Sequence, residues 1–238
     1  MTLLDRLALL SPIDAIALGA LVTGWLIIGW WIERENTTYP SVTVLMIQYR
    51  RDWMQEMVRR DPRIFDAQML SSLRQGTAFF SSTCVIALGG VLALIGNAER
   101  LVGVAEDLAL SGVPTIPTIV WQVKLGLVAL LLTHAFLKFV WSNRLFGYCA
   151  VVMGAVPNDP DHPLARHRAW QSGELNIRAA WNFNRGLRAM YFALAALAWL
   201  LGALTLLGAV VVTIWVLWSR EFMSRPREVL LTQPPAKP

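Results

Sequence analysis

The sequence has 238 residues, 55% of them hydrophobic and 16% charged, with a net charge of +5 and a mean hydropathy of +0.48. That balance excludes an ordinary soluble domain and points to one integral membrane domain. The positive charge does not imply nucleic acid as a partner, because the arginines lie beside apolar runs, where they set orientation and meet anionic lipid.

A bilayer core of roughly 30 Å takes about twenty apolar residues in helix, and four stretches qualify. The first covers 13–32 and opens with a helix-start signal: Ser11 as N-cap, Pro12 at the first helical position and Asp14 in the first turn. Asp5 beside Arg6, and Pro12 and Asp14 within the apolar part, argue against a cleaved signal peptide. Next, Val42, Leu45, Met46, Tyr49, Trp53 and Met57 recur at helical spacing in 42–60, with Arg50, Arg51, Arg59 and Arg60 on other faces and Asp61 and Pro62 as the stop. This amphipathic helix either lies on the leaflet, drawing anionic lipid or an acidic partner, or packs on its own protein.

The second span covers 77–97 and the third 118–140, after Pro114 and Pro117 block an earlier start. The fourth, 189–218, continues without proline from a predicted N-cap at Ser172 with Glu174 in the first turn, giving one helix of more than forty residues. Trp30 and Trp31, Trp121 and Trp141, and Tyr191 with Trp215 and Trp218 mark the span ends as an aromatic belt. Four crossings put both termini on one side and loops 33–76 and 141–188 on the other. The two loops hold most of the arginines, so both are expected to be cytoplasmic and the termini external, although Arg220, Arg225, Arg227 and Lys237 pull against that assignment.

Within the spans, His134 and Lys138 sit one turn apart on the same face of the third. Lys138, like Lys124 at the opposite end, is placed to extend its charge to the head groups. His134 lies deeper and is the candidate intramembrane polar site with Lys138, either on a polar path or satisfied by Ser81, Ser82 or Thr83. Asp14 and Glu33 only flank the first span, so a carboxylate proton path has little support. His162 and His167 fall in a loop, which excludes a bis-histidine haem, and Pro160 and Pro163 make NDPDHPLARHR read as a turn rather than a metal site. Cys84 and Cys149 are too few for a disulfide framework and read as buried hydrophobes. Small pairs such as Ala20 with Gly24 and Gly89 with Ala93 permit close helix packing or a homo-oligomer.

Arg178, Asn182 and Arg185 share a face at i, i+4 and i+7, with Arg188 at its edge, and form the candidate anion or lipid head-group contacts. The alternative is a solvated face whose Ile177, Trp181 and Leu187 pack inward.

RRDWM at 50–54, FFSST and ALGG within 79–90, RLFGYCAVVMGAVP at 144–157 and NFNRGLRAMYFALAALAW at 182–199 together resemble the domain of unknown function 599 family over roughly residues 10–220. The resemblance implies a polytopic membrane protein, as found in bacteria and plants, and a shared importance of the neighbourhood of Asn184, Arg185, Gly186 and Arg188. It implies no activity.

The expected architecture is therefore all-α: four transmembrane helices with cytoplasmic helical extensions in one domain over 1–220, then a polar tail, in the bacterial inner membrane. No phosphate loop, GxSxG elbow or HExxH motif occurs. The expected function is thus a non-enzymatic interaction or assembly component, without a cofactor, that meets the bilayer, its anionic lipids and a protein partner or second copy. The alternatives are a small oligomeric transporter or channel with His134 on its path, and an enzyme acting on anionic lipid head groups.

Overall fold

A computed structural model describes residues 11–35, 37–100 and 117–232. Asp5, Arg6, Pro114 and Lys237 lie outside the described residues, whereas the third span starts at Thr118 directly after Pro117, as the sequence places it. Among the described residues there is no strand. The helices are α1 (Pro12–Ile32), α2 (Val42–Met57), α3 (Ile64–Gly96), α4 (Thr118–Gly154), α5 (Ala165–Leu197), α6 (Ala203–Phe222) and α7 (Arg225–Leu231), with a single 3-10 turn at Ala198–Leu201. Four segments are long and apolar enough to cross a membrane: α1, α3, α4 and the stretch Ala203–Leu231 that begins with α6.

The start of α1 follows its sequence signal. The Ser11 hydroxyl accepts from the Asp14 amide while the Asp14 carboxylate accepts from the Ser11 amide, a closed capping box with Pro12 behind it. Helices α3 and α4 run well past their apolar runs, because Ala, Leu, Gln and Phe continue the helical pattern into the polar loops. Two arginines end α4: Arg63 donates to the Val156 and Pro157 carbonyls at 2.7 Å each, and Arg168 to Ala155 at 2.5 Å. Guanidinium groups there satisfy carbonyls left unpaired at the helix end and oppose the negative end of its dipole.

The stretch 189–218 is not one helix, contrary to the expectation from its unbroken periodicity. Helix α5 ends in the 3-10 turn, Gly202 takes φ 131° and ψ 167°, and α6 runs back beside α1. That backbone region is open almost only to glycine. The carbonyls freed by the break are claimed: Lys124 donates to Trp199 at 2.9 Å, and the Thr205 hydroxyl reaches Ala198 and Gly202. Lys124 is thus buried inside the bundle instead of reaching outward to the head groups. The Trp199 indole donates to Asp14 at 2.6 Å, which fixes the turn beside the start of α1. Nor does α5 begin at Ser172. It starts at Ala165, and Ser172 is a fully buried interior residue whose hydroxyl faces Cys149 at 3.3 Å.

Because α6 returns, the first and last described residues lie at opposite ends of the bundle. Arg227 donates to the Pro40 carbonyl at 2.9 Å and stacks over Tyr39, while the Tyr39 hydroxyl donates to Phe222. The basic C-terminal segment therefore sits at the same end as the arginine-rich loops, and the conflict it created in the charge pattern disappears.

The core has two layers. Ala17, Leu21, Leu125, Leu131, Phe192 and Trp199 belong to the apolar layer of α1, α4, α5 and α6. Met54, Leu70, Phe146, Cys149 and Ala169 form a second layer where α2 and the protruding parts of α3, α4 and α5 pack. Phe80, Phe139 and Phe183 join the two, their ring centroids 5.5–5.6 Å apart. Helix α2 packs on α5, as one of its two readings held, but through Thr43, Ile47, Met54 and Met57, leaving Tyr49 half exposed. The rotation has polar causes: Thr43 is bound by Glu221, Arg50 by Asn176 and Arg51 by Glu174.

Candidate anion-binding cleft

Between α1, α4 and α5 lies a cleft of about 260 Å³ lined by Trp25, Gly29, Trp30, Glu33, His134, Lys138, Arg185 and Arg188. It brings together the two sets of residues that the sequence offered separately, His134 with Lys138 and Arg185 with Arg188. Each helix delivers its groups by register: His134 and Lys138 are one turn apart on α4, Arg185 and Arg188 one turn apart on α5, and Glu33 caps the C-terminus of α1.

Glu33 is the residue that sequence reasoning missed. Arg185 holds it in a fork, Nε at 2.9 and 3.1 Å from the two carboxylate oxygens and Nη2 at 2.5 Å, and Arg188 Nη2 donates to Oε1 as well. Such bidentate charge-assisted bonds are among the stronger polar contacts in proteins. Arg188 is almost completely buried, whereas Arg185 keeps 40% of its side chain open. Burial pushes the Glu33 carboxyl up, but the hydrogen bonds and charges of Arg185 and Arg188 outweigh it and hold the group below the ordinary carboxylate range. The carboxylate is therefore ionised at neutral pH. Nothing in the sequence, where more than 150 positions separate the partners, marks Glu33 as anything but a residue after a span.

The charges in the cleft do not balance. Three basic side chains, Lys138, Arg185 and Arg188, line the cleft with one carboxylate, Glu221 near Arg188 lies outside it, and Lys138 has no ion-pair or hydrogen-bond partner among the described residues. His134 packs T-shaped against the Trp25 ring, centroids 5.0 Å apart, and among the described residues makes no hydrogen bond to Ser81, Ser82 or Thr83; Thr83 donates to Phe79 of its own helix. The volume suits a phosphate or a small head group and falls below the range typical of whole-molecule pockets. Arg178 and Asn182 stay outside: Arg178 is exposed and Asn182 donates back to its carbonyl at 2.9 Å.

The rest of the Asn184–Arg188 segment holds the neighbouring helices in place. Asn184 donates to Thr43 of α2, beside Glu221 of α6. A Cβ on Gly186 would stand 2.8–3.0 Å from the Phe139 ring, so only glycine lets α4 approach this closely. The loop 155–164 is the expected turn, with Asp159 and His162 accepting from the Asp161 and Leu164 amides, but His167 is not in it: it lies in the first turn of α5, which starts at Ala165. Among the described residues no three His, Cys, Asp or Glu side chains converge on a metal position.

This segment lies inside the 16–226 stretch that matches the family model described as protein of unknown function, DUF599. The chain belongs to that family. The match takes in α2 to α6 whole and all but the first turn of α1, so the cleft is built from DUF599 sequence throughout. No curated protein and no solved structure matches the chain.

Proposed function

We propose that this DUF599 protein is a non-enzymatic interaction component of a membrane assembly, and that its cleft engages the phosphate of an anionic lipid. The single observation that carries the reading is the excess of cationic groups around Glu33, with Lys138 unpaired at the edge of the apolar layer. Trp25 and Trp30 supply the amphipathic flank expected at a head-group boundary. Lys138 and the open part of Arg185 supply donors to phosphate oxygens, and Glu33 keeps both arginines aimed.

The membrane placement that goes with this reading is as follows. Helices α1, α3, α4 and α6 cross the bilayer, and the C-terminal half of α5 makes a fifth traverse among them, its arginines turned to Glu33. Loops 33–41 and 155–164 and the C-terminal tail are then cytoplasmic together, which agrees with the positive-inside tendency, in the inner membrane of a bacterial cell. A channel built on His134 is less favoured, because its ring packs on Trp25 in the same cleft.

Native mass spectrometry of the chain released in mild detergent tests the lipid reading. The chain is expected to retain anionic phospholipid, and Lys138→Ala with Arg185→Ala to lose it, while Arg178→Ala leaves retention unchanged. Equal retention by the double variant would refute the assignment.

A further inference from the structure

A second cavity, of about 250 Å³, lies between α2 and α5, with Glu221 of α6 at one end. At that end the polar groups answer one another: the two Glu221 oxygens accept from the Thr43 amide and hydroxyl at 2.9 Å each, and Asn184 donates to the same hydroxyl at 3.3 Å. Seven residues further along α2, roughly 10 Å at the helical rise, Arg50 lines the same cavity. There the polar groups are not matched.

Other arginines that pack between helices have a clear counterpart. Arg51, Arg60, Arg185 and Arg188 each pair with a carboxylate, and Arg63, Arg168 and Arg227 donate to backbone carbonyls. Arg50 has neither among the described residues. Its one hydrogen bond runs from Nη1 to the neutral amide oxygen of Asn176, which leaves Nε and Nη2 without an acceptor. Burial pulls its pKa below the ordinary arginine value, and no carboxylate opposes that shift. Trp181 lines the cavity too, and its indole N–H is buried with no hydrogen-bond partner among the described residues. A desolvated cation and an orphaned donor around one cavity are costly as they stand, and a ligand that brings an anionic acceptor relieves both.

The remaining lining narrows the kind of acceptor. Met46, Ile47, Ile177 and Ala180 give the cavity apolar walls. Glu221 opposes a second negative charge on the ligand, and the volume lies below the range of drug-sized pockets. A guanidinium fork matches the planar pair of oxygens in a carboxylate. We propose that this cavity binds a small aliphatic monocarboxylate, with Arg50 and the Trp181 indole on its carboxylate and its apolar body between α2 and α5. The site shares no residue with the cleft around Glu33, so it stands whether or not that cleft holds lipid.

Ligand-detected NMR titrations of the full chain in a non-ionic detergent test this, with butyrate, acetate, butyramide and inorganic phosphate as probes. Butyrate is expected to bind about tenfold more tightly than acetate, the gain from burying two further methylenes. Butyramide, which has the same body without the charge, and phosphate, which has charge without the body, should bind far more weakly. Arg50→Met is expected to abolish butyrate binding. Ala180→Leu fills the cavity and leaves Arg50 in place, and should abolish it as well, so the result does not hang on how firmly α2 stays docked without Arg50. No butyrate binding by the parent, equal binding of butyramide, preference for phosphate, or binding kept by a folded Arg50→Met or Ala180→Leu chain would overturn the proposal. Binding lost on Lys138→Ala but kept in Arg50→Met would place the anion in the other cleft and overturn it equally.

Discussion

Replacing Glu33 with Gln keeps the shape of the side chain and one acceptor but removes the charge that Arg185 and Arg188 share. The two arginines should not suffer equally. Arg185 leaves 40% of its side chain in solvent, and an exposed ion pair is worth only about 0–1 kcal/mol. Arg188 is 6% exposed in its side chain, and stranding a buried charge by removing its partner costs about 3–5 kcal/mol. The loss therefore belongs almost entirely to Arg188. For a chain of this length each kcal/mol moves the unfolding midpoint by about 2–4 °C, so Glu33→Gln should lower Tm by roughly 6–20 °C. Tryptophan fluorescence during a thermal ramp in mild detergent reads this. Arg185→Ala should shift Tm by less than about 4 °C, and Glu33→Gln combined with Arg188→Met should recover most of the loss, since the stranded charge is gone. A Glu33→Gln variant that melts with the parent, or a double variant that melts below Glu33→Gln, would refute the reasoning.

The pH dependence follows from the same pair. The folded pKa of Glu33 is depressed, so its contribution is fully present above the unfolded value of about 4.3 and is lost as pH falls through the folded value. Tm should be insensitive to this group from neutrality down to about pH 5 and then fall more steeply in the parent than in Glu33→Gln. Gly202→Ala should cost about 1–3 kcal/mol through backbone strain, because a Cβ there would meet only the Thr205 hydroxyl at an ordinary contact of 3.8 Å, and equilibrium unfolding against Gly19→Ala, which meets nothing and has helical geometry, isolates that term. Gly186→Ala should also cost about 1–3 kcal/mol, but by displacing the Phe139 ring, so near-ultraviolet circular dichroism should change as well.

What was legible in the sequence was what lipid and local chemistry dictate. The apolar runs located α1, α3 and α4, and Ser11, Pro12 and Asp14 fixed a helix start to the residue. The sequence put Arg178, Asn182, Arg185 and Arg188 together on one stretch of helix; the structure pairs Arg185 and Arg188 with Glu33 of a second helix and leaves Arg178 and Asn182 outside that cleft. A periodicity argument sees one helix at a time, so a carboxylate donated by another helix is invisible to it. The turn at Gly202 was missed for a related reason. No proline marks it, and a glycine among Ala and Leu signals either tolerance or a break until Lys124 and Thr205 are seen to claim the freed carbonyls and Asp14 the Trp199 indole. The basic tail sat at odds with the expected sides of the loops, and only the turn at Gly202 brings Arg227 to the end where Tyr39 and Pro40 lie.

The membrane placement stands or falls on which side the tail occupies. Cysteines introduced singly at Val229 in α7 and at Asp161 in the loop after α4, both exposed, can be probed with a membrane-impermeant maleimide in intact cells and again after lysis. The account predicts that both are protected in intact cells and labelled together once the membrane is opened. Labelling of the Val229 position from outside, with the Asp161 position still protected, would contradict the fifth traverse and with it the position of the cleft at the inner head-group boundary.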